Sequence, residues 1–238
     1  MIINAVENAT KFEEIINNSG FLGQKIYADY ISGQLKETNS FYVTENCAFM
    51  LSGINVTLCG NPTDDELEEI LVFCNFYGIK TIESQIPDLH ANLERTLHIM
   101  EFKGEIRSCT ETVTVNEDNY SFIKFCCENF HGLVFDIVYS NFVRKINRGI
   151  ADIYYIVKNG RIAAGAIATK YSEDTVYITF VSTSPDYRNQ GLAAQVLSYI
   201  INSNKGRKVI LKCEDELKAF YEKLGFKATG TVNLYKDR

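Results

Sequence analysis

The chain has 238 residues, 46% of them hydrophobic and 23% charged, which suffices for a buried core in one large domain or two of about 100 to 130 residues and carries no compositional mark of disorder. The net charge of −6 argues against a nucleic-acid footprint, because such proteins concentrate Lys and Arg on one face. No basic residue precedes Lys11 and no apolar run approaches the roughly 18 residues of a membrane span, so the chain reads as cytoplasmic, without leader or membrane contact.

Seven cysteines, Cys47, Cys59, Cys74, Cys109, Cys126, Cys127 and Cys213, form no C-x-x-C pair and have no accompanying histidine cluster. They read as reduced core thiols, and no metal site is expected. Charge is unevenly divided. Residues 1–110 carry 7 Lys+Arg against 16 Asp+Glu, and the remainder 17 against 14, as two domains with different partners would. We expect an amino-terminal α/β domain over 1–105 and a second domain over 106–238, joined near 102–110.

In chain order, 41–44 and 47–51 read as paired strands, 55–59 as a third, 64–77 as a helix and 80–84 as a strand. Residues 119–128 and 136–148 read as helices, the first opened by acidic residues that suit a helix amino terminus. Strands follow at 153–157 and 162–170, joined by Asn159-Gly160, a dipeptide that accepts the positive φ angles of a tight hairpin turn. A strand at 175–183 precedes an amphipathic helix over 190–203, in which Ala193, Val196, Leu197, Ile200 and Ile201 recur at helical spacing. A strand at 208–213, a helix at 215–224 and a final strand at 226–235 complete an α/β layer arrangement with a mixed sheet. Aligning Pro62 with Pro185 superimposes strand on strand and helix on helix, which suggests a degenerate internal repeat.

Chemistry concentrates between the 175–183 strand and the following helix, in Ser184-Pro185-Asp186-Tyr187-Arg188-Asn189-Gln190-Gly191-Leu192-Ala193. A strand-to-helix loop ends in amides that have no intrahelical partner and lie at the positive end of the helix dipole, a pyrophosphate site in outline. Gly191 lets a ligand approach the backbone. Arg188 supplies charge or holds the loop. At the aligned place in the first half stand Asp64, Asp65, Glu66, Glu68 and Glu69, whose clustered charge would repel a pyrophosphate.

Arg188-x-x-Gly191-x-Ala193, preceded by Pro185 and a hydrophobic strand, resembles the acyl-CoA signature of the GNAT superfamily of N-acetyltransferases. Ala219-x-Tyr221-Glu222-Lys223-Leu224-Gly225-Phe226 resembles that family's second motif, a tyrosine-bearing helix that ends in Gly-Phe. The resemblance covers roughly residues 111–235. It implies an α/β (α+β) fold with a GNAT-like mixed, largely antiparallel sheet flanked by helices, preceded here by a smaller α/β domain that reads as a degenerate repeat without a donor site.

The resemblance further implies an N-acyltransferase that moves acetyl from acetyl-CoA, without a metal, to a primary amine of a small molecule or peptide in a ternary complex. The amides of Arg188, Asn189, Gln190, Gly191, Leu192 and Ala193 would hold the pyrophosphate. Backbone near Val181 and Thr183 would pair with the pantetheine arm, the Val181 N–H would stabilise the thioester oxygen, and Tyr221 would protonate the departing thiolate. Glu216 departs from the pattern, standing where many members carry asparagine. The general base stays open among Glu214, at the end of a strand bordering the acceptor side, and Asp136 and Asp152, each also readable as a solvated or capping carboxylate. His90, His98 and His131 show no partner pattern. A binding module that senses acyl-CoA without chemistry is the competing reading.

Overall fold

The computed structural model describes residues 1–31, 39–130 and 132–236. The chain forms two compact units, one of Met1–Ile99, Cys213–Asp215 and Thr229–Arg238, the other of Met100–Lys212 and Glu216–Ala228. Compared with a cut after residue 105, the first unit therefore also takes in two pieces from the carboxy-terminal region.

The first unit runs β1 (Ile3–Asn4), α1 (Ala9–Asn18), α2 (Gly20–Ile31), β2 (Asn39–Val43), β3 (Cys47–Ser52), β4 (Asn55–Gly60), α3 (Asp64–Phe76) and β5 (Thr81–Ser84). Strands β1 to β4 pair antiparallel in sequence order, and β5 lies parallel to β4 after the α3 crossover. Residues 233–236 of the last strand close the far side of β5, antiparallel to it. Phe49, Leu58, Ile70 and Ile79 pack in one core cluster with Tyr235. The Tyr235 hydroxyl lies 2.7 Å from the carbonyls of both Ile86 and Pro87, so it holds the chain leaving β5.

Helix α3 starts on a capping box. Thr63 Oγ1 accepts from Glu66 N at 3.3 Å and the Glu66 carboxylate accepts from Thr63 N at 2.9 Å. The same carboxylate accepts from Asn46 N and Nδ2 at 3.0 and 2.9 Å. One member of the acidic cluster is thus a structural tie to the β2–β3 turn.

The second unit contains β7 (Thr114–Val115), α4 (Asn119–Asn129), α5 (Phe135–Asn147), β8 (Ala151–Lys158), β9 (Arg161–Lys170), β10 (Thr175–Thr183), α6 (Leu192–Ser203), β11 (Lys208–Cys213) and α7 (Asp215–Lys223). Strands β6 (Asn92–Phe102) and β12 (Phe226–Lys236) contribute residues to both units, as do β11 and α7 through their end residues Cys213 and Asp215. Strands β7 to β10 are antiparallel neighbours, and β11 is parallel to β10. Both faces of β8 are covered. Ile153 and Tyr155 pack with Phe122 and Phe142 of the α4–α5 layer, whereas the Tyr154 ring lies 5.9 Å from Tyr199 of α6. That is why β8 reads as a continuous apolar run with no alternation. In β9, Gly165 is a spacing requirement: a Cβ there would stand 2.2 Å from the Phe122 ring and 2.7 Å from the Tyr154 carbonyl.

The two units share one element order, strand, two helices, three antiparallel strands, helix, parallel strand. In each, the parallel ladder has four pairs and then stops, after Leu58↔Ser84 in one and Ile178↔Leu211 in the other. Five residues beyond the first pair, each third strand also has a positive φ, 102° at Gly60 and 52° at Phe180.

Candidate functional site

The end of the β10–β11 ladder makes the site. Pairing with β11 ends at Ile178, while the register with β9 slips by one residue between Thr179↔Ile167 and Ser182↔Gly165. Among the described residues, Phe180 and Val181 have no partner in either register. Phe180 holds the bulge in a backbone region that bulky residues seldom occupy, with φ 52°. Its ring is wedged 5.4 Å from Phe130 and 5.5 Å from Phe142, and this packing over-determines the strained conformation.

Beyond Thr183 the chain makes a 3-10 turn at Pro185–Tyr187, then the loop that opens α6. Asn189 and Gly191 take φ of 62° and 75°, which is why α6 begins at Leu192 and not at residue 190 as its periodicity suggests. The first helical bond is Gln195 N to Gly191 O, 3.1 Å, so the amides of Leu192, Ala193 and Ala194 have no intrahelical acceptor. Free amides at the start of a helix lie at the positive end of its dipole, an arrangement that suits an anion. No acidic residue stands in the first turn of α6, whereas Asp64, Asp65 and Glu66 occupy that of α3. A Cβ on Gly191 would meet nothing within 4 Å. Its φ therefore selects glycine, and the space over it is open to a ligand.

A cleft of about 350 Å³ gathers most of the residues singled out from the sequence. Val181 and Thr183 of β10 line it. Arg188, Asn189, Gly191, Leu192 and Ala193 contribute the loop side. Tyr221 of α7 lines the same space; it is buried, its ring 5.8 Å from Phe226 and 5.0 Å from Phe220. Gln190 is turned elsewhere, its Nε2 donating to Asp186 O at 3.4 Å. Arg188 Nε reaches Thr183 O at 3.5 Å, a long contact that ties the loop back to its strand.

The sequence reading overlooked Leu217 and Phe220, which line the cleft beside Tyr221 and are 49% and 37% exposed. Their spacing from Tyr221, one helical turn and one residue, was the available signal: apolar side chains left open to solvent on an otherwise polar helix.

The base candidates are scattered. Glu214 follows β11 and belongs to the first unit, where its carboxylate accepts from Arg95 Nη1 at 2.6 Å. Asp152 accepts from Asn116 Nδ2 at 2.7 Å and so fastens β8 to the β7 end. Asp136 is exposed in the first turn of α5, which lacks a side-chain cap. Among the histidines, His98 has a partner after all, with Nε2 2.5 Å from Asp215 Oδ1. His90 is exposed at φ 54°, and His131 lies outside the described residues. Among the described residues, no group of three or more His, Cys, Asp or Glu side chains is arranged to hold a metal, and no helix is long and apolar enough to cross a membrane.

Residues 150–228 match the sequence model of the acetyltransferase (GNAT) domain. A comparison with curated proteins finds no match. Among solved structures, the chain is similar to a GNAT-family acetyltransferase from Colwellia psychrerythraea, with TM-score 0.64, 11% identity and full coverage of both chains. It is also similar to GCN5-related N-acetyltransferases from Sphaerobacter thermophilus, with TM-score 0.64, 12% identity and coverage of 90% of this chain and 85% of the other, and from Kribbella flavida, with TM-score 0.62, 14% identity and coverage of 90% and 95%. At these identities the likeness is one of fold: mixed α/β, with mostly antiparallel sheet flanked by helices.

Proposed function

With residues 150–228 as an acetyltransferase (GNAT) domain, we propose that the protein transfers acetyl from acetyl-CoA to a primary amine of a small molecule or peptide, by direct attack in a ternary complex. The observation that carries the reading is one cleft in which the loop that opens α6, a strand bulge and Tyr221 meet. Loop amides from Asn189 to Ala193 hold the pyrophosphate, the Arg188 amide being already bonded to Pro185 O at 3.3 Å, and the strand edge at Val181 and Thr183, freed where the β10–β11 ladder stops, pairs with the pantetheine amides. Leu217 and Phe220 give that arm an apolar wall.

In the transfer, the amine nitrogen attacks the thioester carbon and negative charge grows on the carbonyl oxygen, which the Val181 N–H stabilises as it forms. Collapse breaks the C–S bond, the Tyr221 hydroxyl protonates the thiolate, and the extra proton that the nitrogen loses on becoming an amide returns through water to Tyr221. A water chain takes the proton that the ammonium must lose before it attacks. The first unit repeats the element order without a usable donor loop, and we read it, over about residues 1–105, as a degenerate GNAT-like half. A cytoplasmic setting belongs to the same proposal, supported by seven cysteines with no disulfide among the described residues.

Release of free thiol from acetyl-CoA on addition of a mixed amine panel tests the enzyme. Saturable acetyl-CoA binding with no thiol release from any amine would instead make the chain an acyl-CoA sensor.

A further inference from the structure

A second cleft of the same unit, about 640 Å³, lies between α4, the β8–β9 hairpin and the turn after β10. Its size is that of a small-molecule site, typically about 300 to 1,000 Å³. It adjoins the donor cleft: Tyr187 lines both, and the Ser184 that borders the second cleft directly follows the Thr183 that borders the first. Tyr187 is fixed as the shared wall, its hydroxyl donating to Lys158 O at 3.3 Å and accepting from Asn159 Nδ2 at 3.4 Å.

Of the five charged side chains that line this second cleft, Asp118 serves as a helix cap and the other four make no ion pair among the described residues. Lys124 on α4 and Arg161 on the hairpin both line it, and among the described residues neither makes an ion pair. Neighbours of the same kind are spent: Lys158 pairs with Glu111 at 2.6 Å, and Asp118 caps α4 by accepting from Ser121 N at 2.9 Å. Glu128 and Asp186 also line the cleft without an ion-pair partner among the described residues, although Glu128 stands one turn from Lys124, the spacing at which such pairs usually close on a helix. Phe125 and Ile162 add apolar surface.

We infer that this cleft takes the acceptor, and that the acceptor carries a carboxylate as well as its amine: an amino acid or short peptide with an apolar side chain. The assignment rests on the acyl-transfer reading above. Asp118, Glu128 and Asp186 together favour an ammonium, and Lys124 and Arg161 leave two cations that a simple amine cannot satisfy and a carboxylate can. A zwitterion meets both signs of charge. Lys124 and Arg161 hold its carboxylate through charge-assisted hydrogen bonds, the carboxylates of the cleft attract its ammonium, and Phe125 and Ile162 cover its apolar body.

The test uses a matched pair of probes, L-phenylalanine and 2-phenylethylamine, which differ only by the carboxylate. With acetyl-CoA as donor, kcat/KM for phenylalanine should exceed that for phenylethylamine by about tenfold or more, the worth of a hydrogen bond to a charged group. In the doubly substituted Lys124→Ala, Arg161→Ala protein, with its melting temperature checked against wild type, that ratio should fall toward one. Equal or better use of phenylethylamine, or a ratio unchanged by the double substitution, overturns the assignment. Calorimetry separates the two layers of the argument. Acetyl-CoA binding with neither probe bound nor acetylated removes the acceptor assignment and leaves the donor site standing. Failure of acetyl-CoA to bind removes the donor reading, while selective binding of phenylalanine over phenylethylamine still decides the charge preference of the cleft.

Discussion

Gly225 and Gly104 approach so closely that neither tolerates a side chain: a Cβ on Gly104 would lie 2.8 Å from Gly225 Cα, and one on Gly225 2.9 Å from Gly104 Cα. Lys103 N donates to Gly225 O at 2.9 Å across the same contact, and Phe226 packs 5.4 Å from Phe102. The Gly-Phe that ends the second motif is therefore more than a helix stop. Gly225→Ala combines a backbone clash with a φ of 96°, and should cost roughly 2 kcal/mol or more. Gly230→Ala, where the nearest atom would be Ile99 Cδ1 at 3.7 Å, serves as the control. Comparable urea midpoints for the two variants would show that the close approach is not needed.

Gly191→Glu should abolish acetyl-CoA binding, because it sets a carboxylate over the loop amides and strains a residue at φ 75°. Gly191→Ala adds only the strain, of about 1 kcal/mol, and should weaken binding far less. Calorimetry on both folded variants checks the order, and unaltered affinity in the glutamate variant would remove the loop from the donor site.

Tyr221→Phe keeps the ring that packs against Phe226 and removes the hydroxyl alone. We expect kcat to fall by about 10²-fold, the acetyl-CoA dissociation constant to stay within a few-fold, and the basic limb of the pH profile to change. An unaltered kcat profile across pH would mean that water protonates the thiolate and that Tyr221 is there to pack.

One CoA should bind per chain. The first turn of α3 carries Asp64, Asp65 and Glu66 where α6 offers bare amides, and like charge excludes a second pyrophosphate. Titration showing two equivalent sites would contradict this view of the first unit.

Glu66 ties α3 to the β2–β3 turn, with a signature in pH. Burial opposes its ionisation, but hydrogen bonds from Thr63 N and from the side chain and backbone of Asn46 outweigh that and hold its carboxyl at about 2, against the usual 4.5. A folded-state value below the unfolded one contributes stability above the unfolded value, lost as pH falls toward the folded one. Glu66→Gln should thus destabilise the protein at neutral pH by roughly 1 to 3 kcal/mol, with the gap to wild type narrowing between pH 4.5 and 2. Denaturant melts across that range are the check, and a constant gap would mean that the loss is one of packing.

How much of this was legible follows from how local each cause is. Strands β10 and β11 lie where β-rich runs and turn residues put them, and the loop between β10 and α6 announced itself, because a glycine, a cation and a helix start within ten residues are local chemistry. The start of α6 was misjudged by two residues because left-handed φ at Asn189 is not encoded by periodicity. Helices α1 and α2 went unread: Phe12 and Ile16 do recur one turn apart on α1, but Gly20 and Gly23 interrupt the pattern in α2. Strand β6 was missed because its residues 92–96 are all exposed, which erases the alternation that marks a strand.

What the sequence by itself determined is the set of groups available for chemistry: loop amides, a tyrosine four residues before Gly225, and an acidic segment where a second phosphate site would have to be. Tertiary structure decided which of them meet. The bulge at Phe180 exists because Phe130 and Phe142, 50 and 38 residues earlier in the chain, grip its ring. Glu66, read from its neighbours as one more repelling charge, is a buried tie because Asn46 comes to it from 20 residues away. Such contacts depend on chain segments brought together only by packing of the core, and no window of sequence contains both partners.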